Sequence, residues 1–286
     1  MKIQVYTLLS NDRLDDALVL FSSLKKNTNV DINVIPFDFL NEQSLNLVEA
    51  FDCRLVTPDP FWDEVGEKIF GNHLYRPGVL AKKYFRKLNA LTDSRDAPFV
   101  FLDANTLIVD DLNSLFFQMN KDEIVFGSRA MKGRNFNCWG KSLLNKINPD
   151  MKDGFNAGFW GAVSPPFGNG SSYSILIDQG QKVRDMLTLS PEQSVLSFLV
   201  AINSVKPKLI CDVLPGYSNL VSVENIDNSL LEVSNERNVR FADKRALALK
   251  WTGRGIVLPE DHPAEILKRY YKEKGQLVFN EKNFAK

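Results

Sequence analysis

The sequence predicts a single α/β domain built on a mostly parallel, mixed sheet flanked by helices, and three observations predict it. The chain opens with alternating strand-like and helix-like segments, which imply a βαβαβ unit and a doubly wound parallel sheet. A wholly apolar run at 99–102 (FVFL) ends directly in an acid. A strand apolar on both faces is covered on both, so it belongs in the middle of a sheet. Finally, 286 residues with 44% hydrophobic and 24% charged side chains can bury a sizeable core, which argues against a disordered, fibrous or coiled-coil chain.

Each element has its own signal. Residues 2–9 (KIQVYTLL) form a β-branched and aromatic run closed by Ser10, Asn11 and Asp12, and 13–25 carry helical spacing through Leu14, Ala17, Leu18, Phe21 and Leu24. Residues 31–37 read as a second strand, 43–51 as a helix and 54–57 as a short third strand. The segment 79–91 (VLAKKYFRKLNAL) has amphipathic helical spacing, with Leu80, Tyr84, Leu88 and Leu91 on one side. Strands follow at 99–102, 123–126 (EIVF) and 155–163 (FNAGFWGAV), then a helix at 191–204 with Pro191 in its first turn. The stretches 127–154 and 164–172 read as surface loops, and the basic stretch 262–286 as a short helix followed by a tail.

Charge and cysteines narrow the function. Lys plus Arg and Asp plus Glu each number 35, so no global field gathers nucleic acid or an anionic membrane surface. The three cysteines, Cys53, Cys138 and Cys211, show no CxxC spacing and have only His73 and His262 to help them, which argues against zinc and for a reducing compartment. The start, MKIQVYTLLSND, reads as a strand and not an export signal, and no run reaches the roughly 18 apolar residues that span a bilayer. The expectation is a cytoplasmic protein.

The sharpest chemical feature is the apolar strand running into Asp103-Ala104-Asn105. Closely spaced oxygen ligands at a strand C-terminus suit a diphosphate with a hard cation, although a plain turn uses the same residues. Around it, FVFLDANTLIVDDL resembles the FLDADTLVLGDL type of segment at the DxD motif of GT-A glycosyltransferases, particularly the glycogenin and galactosyltransferase-like group. RKLNAL (86–91) resembles that family's Lys-x-x-Ala-Leu helix, and DGFNAGFWGA (153–162) its FNAGVMLI strand. PEQSVL (191–196) is similar to its D-Q-x-x-L-N segment, and LKWTGRG (249–255) to its H-[WFY]-x-G element. The five blocks occur in family order between about residues 80 and 255.

The resemblance implies a GT-A domain over 1–286, with 1–110 as nucleotide-binding half, 111–260 as sugar and acceptor half, and 261–286 as terminal helix and tail. It implies transfer of a sugar from a nucleoside diphosphate donor, a UDP-sugar above all, to a hydroxyl acceptor: a glycan, a lipid-linked or a small molecule. Retention of anomeric configuration follows from the group matched. Asp103 takes the first metal-ligand position; Asn105 replaces the second aspartate, and Lys250 stands where the family has a metal-binding histidine. A divalent ion, Mn2+ or Mg2+, is thereby weakened or replaced, with Lys250, helped by Arg254 beside Gly253, supplying positive charge to the leaving diphosphate.

Further candidates follow. Lys87 is placed at the donor phosphates or sugar, against the alternative of one solvated charge among Lys82, Lys83 and Arg86. Thr7 and Asn11 reach the base or ribose, or else serve the turn at 10–12. Asn156 and Gly158 suit a sugar pocket, because an amide both donates and accepts and glycine admits close backbone approach. Glu192, with Gln193 beside it, is the carboxylate for the anomeric carbon or acceptor hydroxyl, or else a first-turn acid favoured by the helix dipole. Phe159 and Trp160 read as core or as a sugar-stacking face. The Gly168-Asn169-Gly170 loop lacks the residues of a phosphate loop. Two other functions compete: a catalytically silent sugar-nucleotide-binding protein, suggested by Asn105 and Lys250, and a sugar-1-phosphate nucleotidyltransferase, whose GxGTRLxPLT start differs from VYTLLSNDRLDD.

Overall fold

The computed structural model describes residues 2–71, 74–76, 79–94, 97–130, 135–151, 154–167, 171–187, 191–225, 228–236, 238–251 and 258–284. The chain is an α/β protein with a mostly parallel, mixed seven-stranded sheet flanked by helices. Its strands run in the order Lys206–Leu209, Glu123–Phe126, Phe159–Ala162, Phe99–Leu102, Ile3–Leu9, Val30–Pro36 and Arg54–Leu55. All four residues of Phe99–Leu102 are fully buried, as expected of a central apolar strand. The chain divides into two compact units, described in turn.

The first unit comprises Met1–Val56, Leu102–Gln118 and Ile210–Lys286. Its strand Ile3–Leu9 pairs in parallel with Val30–Pro36, which pairs in parallel with Arg54–Leu55. The intervening helices are Leu14–Asn27 and Glu42–Ala50, the second capped by Asn41, whose side chain accepts from the Ser44 N–H at 2.9 Å. A second, three-stranded sheet joins Val221–Ser222, Ala248–Lys250 and Thr106–Ile108. It buries Leu107, Val109, Val221, Val223, Leu249 and Trp251 against Val19 and Tyr271. The 262–286 segment is not a short helix with a tail: Pro263–Phe284 is one continuous helix. At its Gly275 a side chain would lie 2.8 Å from Leu18 Cγ, so the missing side chain sets how near the Leu14–Asn27 helix can come.

The second unit comprises Thr57–Phe101 and Met119–Leu209. Glu123–Phe126 pairs in parallel with Lys206–Leu209 and antiparallel with Phe159–Ala162. The strand expected at 155–163 is shorter, because Phe155 makes only an isolated bridge to Arg129 and Asn156 turns. Phe159 and Trp160 are both fully buried; Trp160 stacks on Phe101 and meets Phe99 edge-on, so both residues serve the core. Two expectations are corrected here. Residues 79–91 are not one α-helix: Val79–Leu80 is a strand, Ala81–Leu88 a 3-10 helix and Asn89–Asp93 a short α-helix. The 127–154 stretch is not wholly loop, since it holds the helix Cys138–Ile147, capped by Asn137 accepting from the Gly140 N–H at 2.9 Å. Helix Pro191–Ile202 begins with its proline at the first position, as expected. The 168–170 loop lies outside the described residues.

Candidate functional site

In the first unit, Asp103 follows the apolar strand and opens the turn through Ala104 and Asn105 into strand Thr106–Ile108. That strand pairs antiparallel with Ala248–Lys250, and the register sets Lys250 opposite Thr106. The pairing is pinned just beyond: the Trp251 N–H donates to the Asn105 carbonyl at 3.1 Å, and the Asn105 side-chain amide donates to the Trp251 carbonyl. Trp251 is itself fixed by its indole N–H, which donates to Glu265 at 2.6 Å. This scaffold holds the Lys250 ammonium 2.6 Å from Asp103 Oδ2, both side chains being largely buried. Residues 146 or more apart in sequence thus become ion-pair and hydrogen-bond partners through one register.

The donor set available to a cation follows from this geometry. Asp103 Oδ2 already accepts from an ammonium, and Asn105 Oδ1 is a buried amide oxygen without a hydrogen-bond partner among the described residues. No cluster of three His, Cys, Asp or Glu occurs among those residues. One neutralised carboxylate and one neutral amide make a poor seat for a hard divalent ion, which favours anionic oxygens. Gly253 and Arg254 lie outside the described residues.

The other residues proposed for the first unit are tied into the fold. Thr7 is fully buried on Ile3–Leu9, its Oγ1 without a partner among the described residues. Asn11 uses both ends of its amide to lock a loop: Nδ2 donates to the Phe39 carbonyl at 2.9 Å, while Oδ1 accepts from the Asn41 N–H at 3.0 Å and the Ser44 hydroxyl at 2.6 Å.

The second unit builds a different polar cluster. Lys87 and Glu192 form an ion pair at 3.1 Å, with both side chains about nine-tenths buried. The Lys87 ammonium lies 5.6 Å from the Tyr84 ring centroid and 5.7 Å from that of Phe101, within cation–π reach of both. Lys87 is therefore not one of the solvated charges of its segment, and Glu192 is more than a first-turn acid. Next along the helix, Gln193 Nε2 donates to Asn135 Oδ1 at 2.5 Å and its Oε1 accepts from the Ala157 N–H at 3.3 Å. Asn135 Nδ2 donates to the Phe155 carbonyl and to Ser197 Oγ, each at 3.1 Å, and Ser197 Oγ accepts from the Phe155 N–H. Asn156 Oδ1 accepts from the Gly158 N–H at 2.8 Å, a local turn that leaves Gly158 buried.

Sequence reasoning missed Asn135 and Ser197, both fully buried. Ser197 carried a usable signal, four residues after Gln193 on one helix face. Gly154 gives the indirect sign of Asn135: it has φ +81°, and a side chain there would meet Ser197 Oγ at 2.9 Å and Asn135.

No protein-family model and no curated protein sequence matches the chain. Solved structures do. Mouse xyloside xylosyltransferase 1, in its apo form, aligns over 90% of this chain and 100% of its own with 11% identity and a TM-score of 0.57. The galactosyltransferase LgtC, in complex with donor and acceptor sugar analogs, aligns over 96% of each chain with 13% identity and a TM-score of 0.57. The bifunctional glycosyltransferase WbbM aligns over 98% of this chain with 13% identity and a TM-score of 0.61, and this chain spans 51% of its length. Likeness at such low identity speaks for the path of the chain and not for its chemistry. The chain has the GT-A fold.

Proposed function

We propose that the chain is a glycosyltransferase that moves a sugar from a nucleoside diphosphate donor, a UDP-sugar, to a hydroxyl acceptor with retention at the anomeric carbon. The observation that carries the reading is the Asp103–Lys250 pair at the end of a central apolar strand in a GT-A fold, the place where an open α/β sheet receives its ligand. In the reaction, the bond from the anomeric carbon to the diphosphate breaks with its electron pair going to the diphosphate. The acceptor oxygen bonds that carbon on the face the diphosphate leaves, which keeps the configuration, and passes its proton to the departing diphosphate oxygen, which balances the charge. Lys250, with Arg254 beyond it, meets the negative charge that develops on the leaving group.

Glu192, Gln193, Asn156 and Gly158 are assigned to the sugar and acceptor, and Lys87 to the donor. The buried Lys87–Glu192 pair and the Gln193–Asn135 bond support these assignments, because side chains locked by neighbours hold a catalytic geometry better than mobile ones. Thr7 and Asn11 are assigned to the base and ribose end, Asn11 through the loop it fixes.

The test is a thermal-shift panel of UDP, GDP and CMP nucleotides and their sugars, followed by assay of donor hydrolysis and transfer. UDP-sugars raise the melting temperature and lose their sugar in the presence of the protein. Asp103→Ala lowers turnover at least tenfold in a protein that circular dichroism shows to be folded. Turnover intact in that variant sinks the reading, and nucleotide binding without any release of sugar favours a silent binding protein instead.

A further inference from the structure

We infer that Lys250 occupies the role of the divalent cation, so that the donor's diphosphate is held by an ammonium and the reaction needs no metal. The inference rests on the donor reading above. Its basis is a disagreement between the side chains and the ion that the fold's enzymes lead one to expect. A dication and an ammonium compete for the same carboxylate oxygen, and here strand register awards Asp103 Oδ2 to the ammonium, 2.6 Å away. Asn105 adds no charge, and its amide is oriented by its bond to the Trp251 carbonyl. Two aspartates with a dication sum to zero, and so does Asp103 with Lys250. The net charge presented to an incoming diphosphate is therefore unchanged, while its carrier becomes part of the chain.

The ammonium is also equipped for the task. It has three N–H donors, and the bond to Asp103 uses one. Asp103 then acts as a positioning residue: it fixes where the charge sits and keeps the lysine from searching other rotamers. Placement is further secured by the reciprocal Asn105–Trp251 bonds on one side and the Thr106 register on the other. Charge-assisted hydrogen bonds from a fixed ammonium to phosphate oxygens are among the stronger ones available to a protein.

The experiment measures UDP binding by calorimetry, on the full chain and on Lys250→Met, Lys250→Arg and Lys250→His, each in EDTA and in manganese, with circular dichroism as the check on folding. The expected result is equal UDP affinity of the wild type in EDTA and in manganese. Lys250→Met loses about 10- to 100-fold of it in both, Lys250→Arg keeps most of it, and Lys250→His binds UDP more tightly in manganese than in EDTA. UDP binding by the wild type only when manganese is present overturns the inference and leaves the donor reading standing. Absence of binding by any nucleoside diphosphate, with or without manganese, removes both. Undiminished UDP affinity of a folded Lys250→Met protein in EDTA overturns the role given to the lysine.

Discussion

The buried Lys87–Glu192 pair makes a quantitative demand on the fold. At 3.1 Å and an effective dielectric near 20, the gross attraction is about 5 kcal/mol. Desolvation of two nearly buried charges offsets much of that, so the pair adds little net stability compared with an apolar replacement. Removing one member is different, because the other is left charged and buried. Glu192→Leu or Lys87→Met alone should each cost about 3 kcal/mol, which for a chain of this length lowers the melting temperature by about 6–12 °C. The double variant Lys87→Met with Glu192→Leu should recover most of the loss, giving a coupling energy of at least about 2 kcal/mol in a double-mutant cycle. The assay is urea unfolding of the four proteins followed by tryptophan fluorescence. Additivity within about 0.5 kcal/mol would refute the reasoning, since it would mean the two charges do not depend on one another.

Two further outcomes follow from packing and titration. Gly275→Ala gains about 1 kcal/mol in helix propensity, but its methyl would press on Leu18 and Ser22, and overpacking of that kind costs about 1–3 kcal/mol; the net is a lower melting temperature, and a rise would show that the two helices are free to separate. Burial pushes the Cys53 thiol up to about 12, so it stays protonated in the folded chain; its contribution to stability is intact below the ordinary thiol pKa of about 8.5 and is lost as pH rises toward 12. Iodoacetamide at pH 8.5 should therefore modify Cys53 far more slowly in the native than in the unfolded protein, and equal rates would contradict the assignment.

What the sequence revealed and what it hid have a common physical origin. Strands Ile3–Leu9, Val30–Pro36 and Phe99–Leu102 were legible because their signal is local: β-branched or aromatic side chains alternating or running together between polar stops. Part of what it hid lies in helices that contain glycine. Gly66, Gly140 and Gly275 look like interruptions when only neighbours in sequence are considered. In the fold each sits where a helix meets another part of its own unit too closely for a side chain: Gly66 faces Lys82, with 2.8 Å to its Cα, Gly140 faces Met186, and Gly275 faces Leu18. These three glycines lie in the helices Pro60–Phe70, Cys138–Ile147 and Pro263–Phe284, which sequence spacing alone does not mark out in full. Lys82, which a side chain at Gly66 would clash with, lies in Ala81–Leu88, a 3-10 segment that side-chain spacing marks as α-helical.

The site followed the same rule, and the two lysines show why. Lys87 and Lys250 carry the same group, and neither the charge of a lysine nor its spacing states whether it will be buried. Burial came from partners far along the chain, Glu192 in one case and Asp103 in the other. The two pairs differ in what a ligand could do with them. Side-chain exposure is 9% and 11% in the Lys87–Glu192 pair, against 12% and 23% in the Lys250–Asp103 pair. An anion reaching the first must displace packed neighbours before it exchanges a hydrogen bond. An anion reaching the second meets a pair whose carboxylate is 23% exposed and whose ammonium keeps two N–H donors beyond its bond to Asp103. The Lys250 pair is therefore the one placed to receive the charge of the diphosphate, while the Lys87–Glu192 pair offers a fixed geometry to the sugar end of the proposed donor.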